Sequence, residues 1–113
     1  MNSKEKGNRG ERELLRILQE RGIFALRNQQ GRTAGALIPK GGKENPDILA
    51  DVRGIRLHVE CKRAERLNLY EAVQQAVNDA NGKALPIVAH RKNNAEWLVT
   101  FRMSDLLDIV TEK

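Results

Sequence analysis

The sequence predicts an α/β domain: a mixed central sheet of about five strands flanked by helices, in the order α-β-β-β-α-β-β-α. Three observations lead there. Apolar residues recur at helical spacing over 14–18 and again over 69–80. Residues 57–62 alternate apolar and polar with a period of two, and short apolar runs at 23–26, 85–89 and 97–101 are bounded by turn residues.

From Gly10 to Arg21, Leu14, Leu15, Ile17 and Leu18 supply the stripe of a first helix, and Gly22 is its stop. Glu11 stands three positions before Leu14 and seven before Leu18, on that stripe, so its carboxylate needs a partner. It suits a metal ligand or a base at the edge of the core, and equally a first-turn glutamate favoured by the helix dipole. Ile23-Phe24-Ala25-Leu26 then reads as a short buried strand. Residues 27–46 hold Gly31, Gly35, Gly41, Gly42, Pro39 and Pro46 with little periodicity, which predicts a long, flexible, basic loop of the kind that is functional or disordered.

The next stretch reads as a hairpin: Pro46-Asp47-Ile48-Leu49-Ala50, a turn at Arg53-Gly54, then a strand over 56–62. Leu57, Val59 and Cys61 alternate with His58, Glu60 and Lys62, so Glu60 and Lys62 share a face. Asp47 lies 13 positions before Glu60, and pairing about Gly54 brings it toward that residue. Two carboxylates near each other repel unless a cation sits between them. Their hard oxygens suit Mg²⁺ or Mn²⁺, and a lysine beside such an ion can orient a water or stabilise charge on a phosphate. An ordinary charged surface hairpin is the plain alternative. His58, on the Glu60 face, could sit near the site, but a solvent-facing histidine is the favoured reading and it receives no role.

Asn68, with Glu71 three residues on, caps a second helix whose buried stripe is Leu69, Ala72, Val73, Ala76, Val77 and Ala80, closed by Gly82. Its small alanines suit close packing on a sheet. Leu85-Pro86-Ile87-Val88-Ala89 and Trp97-Leu98-Val99-Thr100-Phe101 are two further strands joined by Arg91-Lys92-Asn93-Asn94, with Pro86 at a strand start or an edge. Ser104 caps a last helix carrying Leu106, Leu107, Ile109 and Val110.

At 113 residues the chain makes a single domain, 1–113. Lys and Arg outnumber Asp and Glu by 20 to 15, a formal charge of +5 that suits a polyanion. The cations cluster: Lys4, Lys6, Arg9, Arg12 and Arg16 crowd the start, where 1–9 reads as a basic arm, and Arg27, Arg32, Lys40 and Lys43 lead toward Asp47. Both groups flank the acidic cluster, so a phosphate backbone could be neutralised on its way to a metal site. With 4% aromatic residues, phosphate and shape recognition should outweigh base stacking. One cysteine cannot form an internal disulfide, and Cys61, in phase with Val59, reads as a buried hydrophobe. Two histidines and one cysteine give no zinc spacing, which leaves oxygen ligands. No run of 18 apolar residues and no apolar leader are present, so a cytosolic protein without membrane partners is expected.

The order Glu11, Pro46-Asp47, Glu60-Cys61-Lys62 resembles the PD-(D/E)XK nuclease superfamily, and the closest likeness is to small archaeal-type Holliday-junction resolvases. Lys6-Gly7 followed by Glu11-Arg12-Glu13-Leu14 is similar to their basic start and helix opening, as are Gly22-Ile23-Phe24 with Arg27, and Tyr70 with Gln75 on the second helix. The resemblance implies a restriction-endonuclease-like fold and a Mg²⁺- or Mn²⁺-dependent endonuclease acting on branched DNA. It implies that Asp47 and Glu60 bind the metal, that Glu11 completes the acidic site and that Gln75 assists. Lys62 would position the attacking water or stabilise the developing phosphorane charge. A serine those resolvases carry after the first strand is absent here, and Thr33 stands at a shifted position. Virus-type replication-repair nucleases share the Pro-Asp and Glu-x-Lys core, so a phage origin, with the host cytoplasm as its compartment, and flap or nick substrates fit as well. A two-fold junction and a small domain together lead us to expect a homodimer. Two alternatives stand beside this reading: a non-catalytic nucleic-acid-binding module, and a nuclease of the same fold acting on RNA.

Overall fold

The computed structural model describes residues 3–28 and 46–111. Its order is α1 (Ser3–Glu20), β1 (Phe24–Arg27), β2 (Ile48–Val52), β3 (Ile55–Arg63), α2 (Leu69–Ala80), β4 (Leu85–Arg91), β5 (Leu98–Thr100) and α3 (Met103–Thr111). The five strands form one mixed sheet in the order β1-β2-β3-β4-β5. β3 and β4 run parallel, joined by the α2 crossover, and the other pairs are antiparallel.

The β2–β3 hairpin closes as its turn residues dictate. Arg53 (φ 52°) and Gly54 (φ 86°) are both left-handed, as a two-residue primed turn requires, and the Gly54 N–H donates to Asp51 Oδ1 at 2.9 Å. The register then runs from Val52 opposite Ile55 to Ile48 opposite Val59.

The sheet divides two environments. On one side α1 packs Leu14 against Ala25, Ile48, Ala50, Val59, Cys61, Ile87 and Ala89, the main core. On the other, α2 lays Ala72 and Ala76 over Val88. Side chains that small let the helix approach the sheet closely.

Several boundaries differ from expectation. α1 starts at Ser3 rather than Gly10, so residues 3–9 are helical turns and not a separate arm. Gly7 and Gly10 suggest a break, yet Gly10 serves the packing of α1 on β3: a Cβ there would collide with the Arg63 side chain. β1 and β2 each begin later than the apolar runs suggest, and Trp97 and Phe101 flank β5 and pack on the main core instead of extending it. α2 begins as expected, with the Glu71 N–H donating to Asn68 Oδ1 at 3.2 Å, and ends on left-handed Asn81 followed by Gly82. In α3 the first-turn N–H groups of Asp105 and Leu106 donate to the Arg102 carbonyl, which puts the cap two residues ahead of the expected Ser104. The apolar face of α3 buries no residue.

Candidate active site

Continuing the β2–β3 register one step past Ile48 and Val59 sets Asp47 opposite Glu60. Glu60 belongs to the sheet face that α2 covers, because its neighbour Val59 points into the main core, while Asp47 immediately precedes β2. The Asp47 carboxylate is anchored by its own hairpin, Oδ2 accepting the Cys61 backbone N–H at 2.8 Å. Lys62, half-buried one pleat along from Glu60, is close enough for its charge to favour ionised Asp47.

The electrostatics identify a crowd of carboxylates. Burial, and after it the negative charge of Glu60, push the Asp47 carboxyl up to about 7 from an ordinary 3.8. Glu11 adds to that push, while the Cys61 N–H and Lys62 oppose it. Glu11 is itself raised, mainly by burial and further by Glu60, with Arg27 pulling the other way. Asp47, Glu60 and Glu11 thus feel one another's charge from β2, β3 and α1.

Each carboxylate has a protein partner. Arg27 Nε donates to Glu11 Oε1 at 3.0 Å, and its other arm reaches Asn8 Oδ1 at 3.1 Å. Glu11 sits in the middle of α1, away from its first turn, so the helix-dipole reading does not apply to it. Glu60 Oε2 lies 2.7 Å from His58 Nε2, with both residues buried. His58 is therefore not the solvent-facing residue the sequence suggested. With Asp79 of α2 these two form a trio whose ligand atoms all lie within 4.8 Å of one another. That trio offers one nitrogen and two carboxylates from two elements. The set Asp47, Glu60 and Glu11 is all oxygen, and a hard divalent cation would relieve its mutual repulsion.

Other expected site residues are more dispersed. Gln75 lies exposed on α2, one turn before Asp79. Lys4, Arg9 and Arg12 are exposed along α1 and Lys6 is half-buried, whereas Arg27 is committed to Glu11 and Asn8. Arg32, Lys40, Lys43 and Thr33, with most of the expected 27–46 loop, lie outside the described residues. Burial drives the Cys61 thiol up to about 12, which fits a buried hydrophobe and not a nucleophile. Two residues escaped the sequence reading, His58 and Asp79. Their signal was there: His58 is in phase with Glu60, and Asp79 follows the Ala72 and Ala76 stripe.

The family model of archaeal Holliday junction resolvases (Hjc) matches residues 2–108. The chain belongs to that family. Its fold is also that of Archaeoglobus fulgidus Hjc, described as a Holliday junction resolvase from an archaeal hyperthermophile and solved at 1.6 Å. The two share 32% identity at a TM-score of 0.60, over 83% of this chain and 70% of that one. Comparison with curated proteins gives no match. The restriction-endonuclease-like expectation therefore holds, and family membership makes the protein a nuclease of the junction-resolving class. Among the described residues no helix is long and apolar enough to cross a membrane.

Proposed function

We propose that this protein is a Mg²⁺-dependent endodeoxyribonuclease that cuts four-way DNA junctions as a homodimer, in the cytoplasm. The observation that carries the reading is the meeting of Asp47 and Glu60 across the β2–β3 hairpin, with Lys62 beside them and Glu11 in electrostatic reach. Asp47 and Glu60 would hold the cation, with Glu11 completing the set and Mn²⁺ as an alternative ion. Bound there, the ion supplies Lewis acidity and a template for in-line attack on a phosphodiester. The Lys62 ammonium orients the attacking water or meets charge building on the phosphate. Gln75 assists from α2. Arg27 keeps Glu11 aimed at the site while leaving the outer cations of α1 for the DNA backbone.

Backbone contact falls to Lys4, Lys6, Arg9 and Arg12, with Arg32, Lys40 and Lys43 of the segment that precedes Asp47 in sequence; Arg27, committed to Glu11 and Asn8, is not among them. A second copy of the chain suits the apolar surface formed by α2, β5 and α3. Tyr70 is 90% exposed and Met103 73%, while Leu98, Val99, Leu107 and Val110 are more than half exposed. Beside them lies a groove of about 460 Å³ lined by Leu69, Tyr70, Val73, Phe101 and Met103 among others. Apolar patches of this kind mark association sites, and a two-fold dimer would match the two-fold symmetry of a junction.

The test is cleavage of a labelled four-way junction beside flap, nicked, linear duplex, single-stranded and RNA controls, in Mg²⁺, Mn²⁺ and EDTA, with Asp47→Asn in parallel. Paired junction cuts that need both metal and Asp47 support the reading. Cutting of flaps or RNA alone would replace the substrate, and binding without any cutting would replace the activity.

A further inference from the structure

We propose that His58 is a positioning residue that fixes Glu60 for the cation. The proposal rests on the reading above, in which Glu60 is a ligand. His58 is 3% exposed and lies two positions before Glu60 on the same face of β3. Its Nε2 sits 2.7 Å from Glu60 Oε2. A carboxylate that binds a cation only accepts, so in that role the ring nitrogen of His58 is the donor.

Three features make this a support and not a second metal site. First, nitrogen and oxygen 2.7 Å apart are at hydrogen-bond distance, whereas two ligands of one ion stand roughly 3 Å or more apart around bonds of about 2 Å. Second, on the α2 and β4 sides Glu60 meets no donor: Val88 is its neighbour across the β3–β4 register, Ala72 and Ala76 of α2 pack on Val88, and the nearby Asp47 and Asp79 carboxylates accept rather than donate. A carboxylate buried there, 8% exposed, rotates freely or loses its charge without a donor. Third, the hydrogen bond occupies one carboxylate oxygen and leaves Oε1 for a ligand. An Asp79 oxygen from α2 lies within 4.8 Å of both partners of the pair.

Hydrogen-bond partners of ligating carboxylates set ligand orientation, and their loss typically costs about 10–100-fold in metal affinity or activity. The experiment is direct Mn²⁺ binding by titration calorimetry, with junction cleavage against Mn²⁺ concentration alongside. The proteins are wild type, Glu60→Gln, His58→Phe and His58→Gln. The glutamine amide reaches as far as Nε2 and can donate in its place; phenylalanine keeps the volume without a donor. His58→Phe should weaken Mn²⁺ binding roughly 10–100-fold and raise the Mn²⁺ needed for half-maximal cleavage by a similar factor. His58→Gln should recover most of both. If His58→Phe does not fold, His58→Met, as long as glutamine and without a donor, takes its place against His58→Gln. Wild-type Mn²⁺ affinity in the donor-free variant, or an equal loss in His58→Gln, would overturn the positioning role. Wild-type affinity in Glu60→Gln would instead overturn Glu60 as a ligand, and His58 would fall with it.

Discussion

The two faces of β3 are built from alternate residues of one strand and obey different rules. Val59 and Cys61 face α1 in a core of aliphatic side chains, where complementary volume decides stability. His58 and Glu60 face α2, are as deeply buried, and are held by a hydrogen bond instead of by volume. The α1 face could lose a methyl group and still present the same chemistry; the α2 face could keep its volume and lose its chemistry. Burial alone therefore does not separate core from site. What separates them is whether the buried atoms need partners.

That contrast can be broken by exchanging the faces' failures. The largest effect is expected from Glu60→Gln and Lys62→Met, each lowering junction cleavage on the order of 10³-fold while junction binding persists in a gel-shift assay. Retained cleavage in either variant would dissolve the division. On the core face, Val59→Ala leaves a cavity at a position 2% exposed and should cost about 2 kcal/mol, a fall of roughly 10 °C in Tm by calorimetry. Its cleavage rate per folded molecule should stay near wild type.

The pH dependence sharpens the same point. Folded Asp47 titrates near 7 and the unfolded chain near 3.8, so between those values the folded protein holds a proton that the unfolded chain has released. Stability from this group is complete below pH 4, falls as pH rises, and is lost above 7, at about 1.4 kcal/mol per unit. Denaturant midpoints of the metal-free protein should show that decline, and Asp47→Asn should flatten it. A midpoint that rises over this range in step with the Asn variant would remove the burial argument. The smallest effect belongs to the surface: Arg9→Ala should weaken junction binding modestly and reduce its dependence on log salt by about one unit of slope.

Much of this arrangement was legible in the sequence because it depends on short-range rules. The primed turn at Arg53-Gly54 fixes the hairpin, the hairpin fixes Asp47 opposite Glu60, and a period of two sets Lys62 on their face. The Asn68 cap likewise specifies the start of α2. What escaped depends on packing between distant segments. Alternation puts His58 on the face of Glu60 but does not say whether solvent or helix covers it; the answer came from the alanine stripe of α2. Gly10 looks like a breaker until the Arg63 side chain is seen against it. The stripe of α3 predicts burial, yet α3 buries no residue in the single chain. Arg27 counted among the basic groups meant for DNA, and nothing in its local sequence reveals that it turns back to Glu11.

The most direct test pairs two readouts on one variant, Asp47→Asn: junction cleavage in Mg²⁺ and the unfolding midpoint without metal, both at pH 8. The account predicts that cleavage disappears while the midpoint rises, because a carboxylate kept buried among other carboxylates for chemistry is a liability to the fold. Cleavage that survives, or a midpoint that falls, would contradict it.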